Sequence, residues 1–159
     1  MFFMKKYLYT IALITLPILF GSCLKDGLDD VEYSTECEVT SVSFEHRWVV
    51  ESEAKGVYTL YFKTLTVNRS IDSERQTITV DITVPNTDKN FIQAERDKVS
   101  LSSLACLFVV SNAASVTPLD GAPKLGVLGD FSAKRFRYRV TSASGKYKDW
   151  ELQINNFTK

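Results

Sequence analysis

The chain has 159 residues, 19 basic and 19 acidic side chains and one histidine, and 45% of it is hydrophobic. Balanced charge excludes the basic footprint of a nucleic-acid binder, and one histidine among three scattered cysteines excludes the spaced ligand set of a zinc domain. The size suits one folded domain with a real core.

Lys5 and Lys6 precede an apolar run from Tyr7 to Phe20. At about 14 residues the run is long enough for a signal sequence and short of the ~20 that span a bilayer. Gly21-Ser22-Cys23 follows and resembles the lipobox of bacterial lipoproteins, with Phe20 where leucine is commoner. The resemblance implies cleavage before Cys23, a diacylglyceryl group on its thiol and acylation of its freed amine. The next residues, Leu24 to Asp30, are acidic and too poor in apolar content to fold. They resemble the tether that carries Bacteroidetes-type lipoproteins to the outer face of the outer membrane. The expected organisation is a signal peptide over 1–22, lipidated Cys23 with a flexible acidic tether over 23–37, and one folded domain over 38–159.

From Val39 the pattern alternates. Val42, Phe44, His46, Trp48 and Val50 share one parity, which predicts a strand with one buried face. Glu51 to Gly56 suits a turn, and Val57 to Val67 reads as one long strand with Tyr58, Leu60 and Phe62 inward. Gln76 to Val84 carries Ile78, Val80, Ile82 and Val84 on one face, which predicts a half-buried antiparallel strand ended by Pro85. A short helical turn is expected from Asn86-Thr87-Asp88 through Arg96. Lys98 to Leu101 and Leu104 to Ser111 are further strand candidates, the second apolar on both parities as in a central strand. The long stretch from Ala113 to Lys134 is expected to hide a strand at Ser115 to Thr117 or at Lys124 to Leu128.

The chain closes on a hairpin. Phe136, Tyr138 and Val140 alternate with Arg135, Arg137 and Arg139, and Trp150, Leu152 and Ile154 alternate with Glu151 and Gln153. A register centred on Gly145 sets Val140 against Trp150 inside and Arg139 against Glu151 outside, so both faces agree. About seven short strands, no strong helix and turn chemistry between them predict an all-β, immunoglobulin-like antiparallel β-sandwich.

Val116-Thr117-Pro118-Leu119-Asp120-Gly121, Gly129-Asp130-Phe131-Ser132, Tyr138 to Gly145 and Trp150-Glu151-Leu152 stand in this order along the chain. Together they resemble the Ig-like modules of uncharacterised Bacteroidetes surface lipoproteins, including those that precede carbohydrate metabolism domains. The resemblance runs from Val39 to Ile154. It implies a β-sandwich displayed at the cell surface near glycan-handling machinery. No following catalytic domain is present before Lys159.

Candidate chemistry is sparse. His46 lies on the parity of Phe44 and Trp48 and is expected as a partly buried structural residue. No serine has a histidine partner or a G-x-S-x-G setting, and neither a metal nor a cofactor is called for. The stripe Arg135, Arg137, Arg139 could bind an acidic glycan or partner, or form a solvated face neutralised by Asp149 and Glu151. Tyr61 is the candidate sugar-stacking aromatic, with Tyr147 beside it, whereas Trp150 and Tyr58 are expected in the core. Cys37 and Cys106 are either a disulfide pair or, for Cys106 in its apolar run, a small buried hydrophobe.

The functional expectation is a non-enzymatic, lipid-anchored envelope protein of the outer membrane whose sandwich binds a glycan or an envelope protein. The alternative is a structural accessory that assembles by strand addition. Exposed aromatics at one end would favour the first, and an unprotected apolar edge strand the second.

Overall fold

Alternating apolar residues segregate the chain into two facing sheets in this computed structural model, which describes residues 32–159. The signal peptide, Cys23 and the acidic tether residues up to Asp30 lie outside the described residues. The strands are β1 (Val39–Glu51), β2 (Tyr58–Thr64), β3 (Thr66–Asp72), β4 (Thr77–Thr83), β5 (Leu104–Val110), β6 (Ser115–Leu119), β7 (Leu128–Gly129), β8 (Arg135–Thr141) and β9 (Tyr147–Thr158), with one short helix, α1 (Gln93–Lys98). Sheet A has the order β2-β1-β5-β7 and sheet B the order β3-β4-β9-β8-β6.

The inner faces make the core. Val42 and Phe44 from β1, Leu104 and Cys106 from β5, Ile78, Val80 and Ile82 from β4, Tyr138 and Val140 from β8, and Trp150 and Leu152 from β9 are all buried. The period of two that predicted β1 and β4 is therefore the period that fills the core. Phe131 packs edge-on against both Phe44 and Phe136, with ring centroids 5.4 and 5.3 Å apart. Two buried polar atoms are satisfied across the fold: Trp150 Nε1 donates to the Cys37 carbonyl at 2.9 Å, and Tyr138 Oη to the Pro123 carbonyl at 2.9 Å.

Several expectations need correction. The run from Val57 to Val67 is two strands in different sheets, and Tyr58, Leu60 and Phe62 face solvent. The reason is parity. Trp48 pairs with Tyr61, so Tyr61 shares the inner face, and the next anchor of that parity, Leu65, is buried where the chain crosses to sheet B. Tyr58, Leu60 and Phe62, one residue out of step, must then point outward. Lys98 ends α1 and the loop after it buries Val99, so no strand forms over Lys98 to Leu101. The described strands number nine rather than about seven, and β4 runs parallel to β9, so sheet B is mixed. The hidden strands of the long loop are β6 and β7.

The hairpin register is also shifted. Tyr138 faces Trp150, Phe136 faces Leu152, and Arg139 faces Asp149 rather than Glu151. The loop is closed by Ser142 N–H donating to the Lys146 carbonyl at 2.8 Å, which leaves Ala143, Ser144 and Gly145 in the turn and centres it on Ser144. Gly145 has φ +84°, the left-handed residue that such a three-residue loop requires. The slip is two residues in partner position, so every side chain keeps its face.

The folded unit begins at Tyr33, earlier than the expected 38. Cys37 is buried, Glu38 pairs with Lys148, and Ser144 N–H donates to the Ser34 carbonyl at 3.1 Å. Cys37 and Cys106 are separate free thiols rather than a disulfide. Val39 pairs with Val110, so Cys37 lies beyond that pair while Cys106 sits opposite Phe44. At about 3.3 Å per residue the two are roughly 20 Å apart, well beyond the ~7 Å Cα separation a disulfide tolerates.

Candidate functional site

The expected binding residues do not converge. Tyr61 belongs to sheet A, and the arginines line the outer face of β8 in sheet B.

Tyr61 lies inside an aromatic ladder. Its ring stacks on Trp48 at 5.7 Å, and Trp48 stacks on His46 at 5.5 Å. Phe91, from the loop before α1, closes over Trp48 at 5.8 Å. That loop is set by Asp88, whose carboxylate accepts from the backbone N–H groups of Asn90 and Phe91 and pairs with Lys63. The helical turn expected from Asn86 through Arg96 forms only over Gln93–Lys98 with Ile92 at its N-cap, and Asp88 sets a turn ahead of it. The ladder is a packed seam between sheet A and α1, with Tyr61 half-buried at its rim.

His46 is only 6% exposed, and its Nε2 lies 3.8 Å from Glu95 Oε2. Neither ring nitrogen meets a protein hydrogen-bond partner. Burial pushes the imidazole below its ordinary value, opposed in part by the Glu95 charge. The folded state thus binds this proton less readily than the unfolded state, and between the two pKa values stability rises with pH. His46's contribution is present above the ordinary 6.5 and is lost as the pH falls below it toward the folded value. Asp88, held at about 2 chiefly by the Lys63 hydrogen bond, loses its contribution lower down, from 3.8 toward about 2. Urea midpoints across pH 8 to 3 are expected to fall in two stages, and His46→Leu to remove the first. An unchanged first stage in that variant would refute the assignment.

The arginine stripe is neutralised. Arg135 lies 3.5 Å from Glu151, Arg137 bonds Asp120 at 2.9 Å and lies 3.4 Å from Asp149, and Arg139 bonds Asp149 at 2.7 Å. Arg139 also covers the Tyr147 ring at 3.9 Å. Its hydrogen bond holds the Asp149 carboxyl below the usual range. Three guanidinium groups facing three carboxylates leave no excess positive charge for an anion, and exposed pairs of this kind contribute about 0–1 kcal/mol each. Arg135, Phe136 and Arg137, with Asp120 and Glu151, line a small open cavity of about 200 Å³. That is below the ~300 Å³ of ordinary ligand pockets.

Sequence reasoning missed the most unusual surface. Tyr58, Leu60 and Phe62 are 63%, 62% and 62% exposed on the outer face of sheet A, and Val49, paired with Leu60, is exposed beside them. They lie on β2, which ends the sheet, and no described strand pairs with its far side. The signal was present as two apolar sets of opposite parity between Val57 and Leu65, only one of which can face inward.

A mostly β chain of two packed sheets, with ion pairs along β8 and an apolar outer face on β2, defines an all-β sandwich. The chain belongs to the DUF5018-related family, whose model matches residues 39–153. It is also similar to a protein of Bacteroides fragilis NCTC 9343 named as a "putative secreted protein", at 38% identity and a TM-score of 0.70, over 78% of this chain and 97% of that one. No curated protein matches. The likeness to that protein fits an extracellular or envelope location.

Proposed function

We propose that this chain is a non-enzymatic, lipid-anchored envelope protein that binds a protein partner through the outer face and free edge of sheet A. The observation that carries the reading is Tyr58, Leu60 and Phe62, three large apolar side chains more than three-fifths exposed on an edge strand whose far side no described strand pairs. Soluble proteins blunt such edges with charge, proline or a bulge, and a contiguous apolar patch marks an interaction site. Lys63 is the one charged residue of β2, and it lies on the opposite face, paired with Asp88. The attachment rests on Cys23 and the lipobox-like Gly21-Ser22, and the outer-face location on the acidic tether.

A photo-cross-linking residue in place of Phe62 is expected to form a protein adduct in intact cells, whereas the same residue in place of Arg137 forms none. Absence of any adduct at position 62 would contradict the reading.

A second reading, glycan binding, is favoured by the cavity that Arg135, Phe136 and Arg137 line, which has room for a monosaccharide-sized group. Its pairs of donors and acceptors suit a neutral sugar better than an acidic one. A glycan array at low and moderate salt, repeated with Arg137→Ala, tests it: a hit lost in the variant supports the cavity, and no hit removes it.

A further inference from the structure

The partner follows from the backbone of β2. In an antiparallel ladder, opposed residues alternate between hydrogen-bonded and non-bonded pairs. Ser52 N–H donates to the Val57 carbonyl and Leu65 N–H to the Phe44 carbonyl, each at 2.8 Å, at the two ends of the β1–β2 ladder. The odd-numbered residues of β2 therefore direct their backbone groups to β1. Tyr58, Leu60, Phe62 and Thr64 direct theirs to the free edge. These are the residues whose side chains carry the apolar outer face, so the unmet backbone groups and the exposed side chains coincide.

We propose that the occupant of this edge is a second copy of the chain, paired antiparallel along β2 with Tyr61 on the two-fold axis. This rests on the reading of sheet A as a docking surface and names its partner. The strand is self-complementary in that register. All seven residues Tyr58–Thr64 overlap, Leu60 faces the partner's Phe62 and Phe62 the partner's Leu60, and Tyr58 faces the partner's Thr64. An apolar centre of Leu60 and Phe62 from both copies is flanked by Val49 of each, with Tyr58 and Thr64 toward the rim. No like charges meet, since Lys63 falls opposite the partner's Thr59. The result is one continuous sheet of eight strands. Its two-fold axis runs perpendicular to the sheet, so both copies turn the same face of sheet A to the same side.

The register makes a sharp test in the full chain in membranes. Tyr61 and its symmetry mate form a non-hydrogen-bonded pair with Cα atoms about 4.5 Å apart, within disulfide reach. Tyr61→Cys is expected to give a disulfide-linked dimer under mild oxidation, and Thr59→Cys, whose mates lie about 13 Å apart, is expected to give none. Leu60→Lys, at a solvent-exposed position, is expected to leave the fold intact and raise the dimer dissociation constant on the order of 100-fold, because the two-fold doubles each lost contact. Sedimentation reads this in the Cys23→Ala chain.

A monomer at all concentrations, with no cross-link from a Tyr61→Cys chain of normal melting temperature, would overturn the dimer. If the probe at position 62 still captures a different protein, the second copy is wrong and the docking surface stands. If it captures nothing, both fall.

Discussion

Trp150→Ala is expected to remove most of the stability of the domain. Trp150 is fully buried in the middle of sheet B, between β4 and β8, and packs at the centre of the inner face. Truncating a buried tryptophan costs about 3–5 kcal/mol through lost transfer energy and the cavity left behind. The same change strips the Cys37 carbonyl of its Nε1 donor, and an unsatisfied buried acceptor costs a further ~1–3 kcal/mol. Set against a total of about 5–15 kcal/mol, the variant is expected to be largely unfolded at physiological temperature. Trp150→Phe keeps most of the volume and loses the hydrogen bond, so it is expected to stay folded with a loss of about 1–3 kcal/mol. Urea denaturation followed by far-ultraviolet circular dichroism separates the two. A Trp150→Ala midpoint within error of the wild type would mean that Trp150 does not hold the Cys37 segment to the core.

Cys23→Ala is expected to abolish fatty-acid labelling and move the protein from membranes to the soluble fraction. The effect is large because the attachment reading depends on one atom, the Cys23 thiol. A single myristoyl chain gives an association constant of only ~10⁴ M⁻¹, and stable anchoring takes at least two chains. The lipobox resemblance supplies three, and without the thiol none is added. Retained labelling in the variant would refute the lipid anchor and leave an ordinary exported protein.

How far the sequence revealed the fold depends on whether the deciding contact was local. The inner faces of β1 and β4 were legible, because Phe44, His46 and Trp48, and then Ile78, Val80 and Ile82, alternate without competition. In the hairpin the faces were legible and the partners were not: Gly145 marks the end of the turn rather than its centre, and a two-residue slip leaves the pattern unchanged. The parallel pairing of β4 with β9 joins segments some seventy residues apart, and nothing local in either strand announces it. The arginine stripe was correctly placed on an outer face. Its neutralisation required Asp120, which the Asp120-Gly121 turn brings from the end of β6.

The β2 edge is the instructive failure. Tyr58, Leu60 and Phe62 were assigned to the core as an unbroken alternation of large apolar side chains, whereas position was decided by Leu65, which must reach the core as the chain changes sheets. Apolar content alone does not choose a face when both parities carry it. The surplus set is then a surface property, and here it falls on a strand with a free edge.

Hydrogen exchange at the amides of β2 tests strand pairing at this edge most directly. Leu60 and Phe62 point their N–H groups to the open edge, while Thr59 and Tyr61 point theirs to β1. On the membrane-bound protein, and in solution at high concentration, the Leu60 and Phe62 amides are expected to be as protected as those of Thr59 and Tyr61, and to lose protection on dilution of the Cys23→Ala chain. Fast exchange at Leu60 and Phe62 on the membrane and at every concentration would contradict strand pairing at this edge.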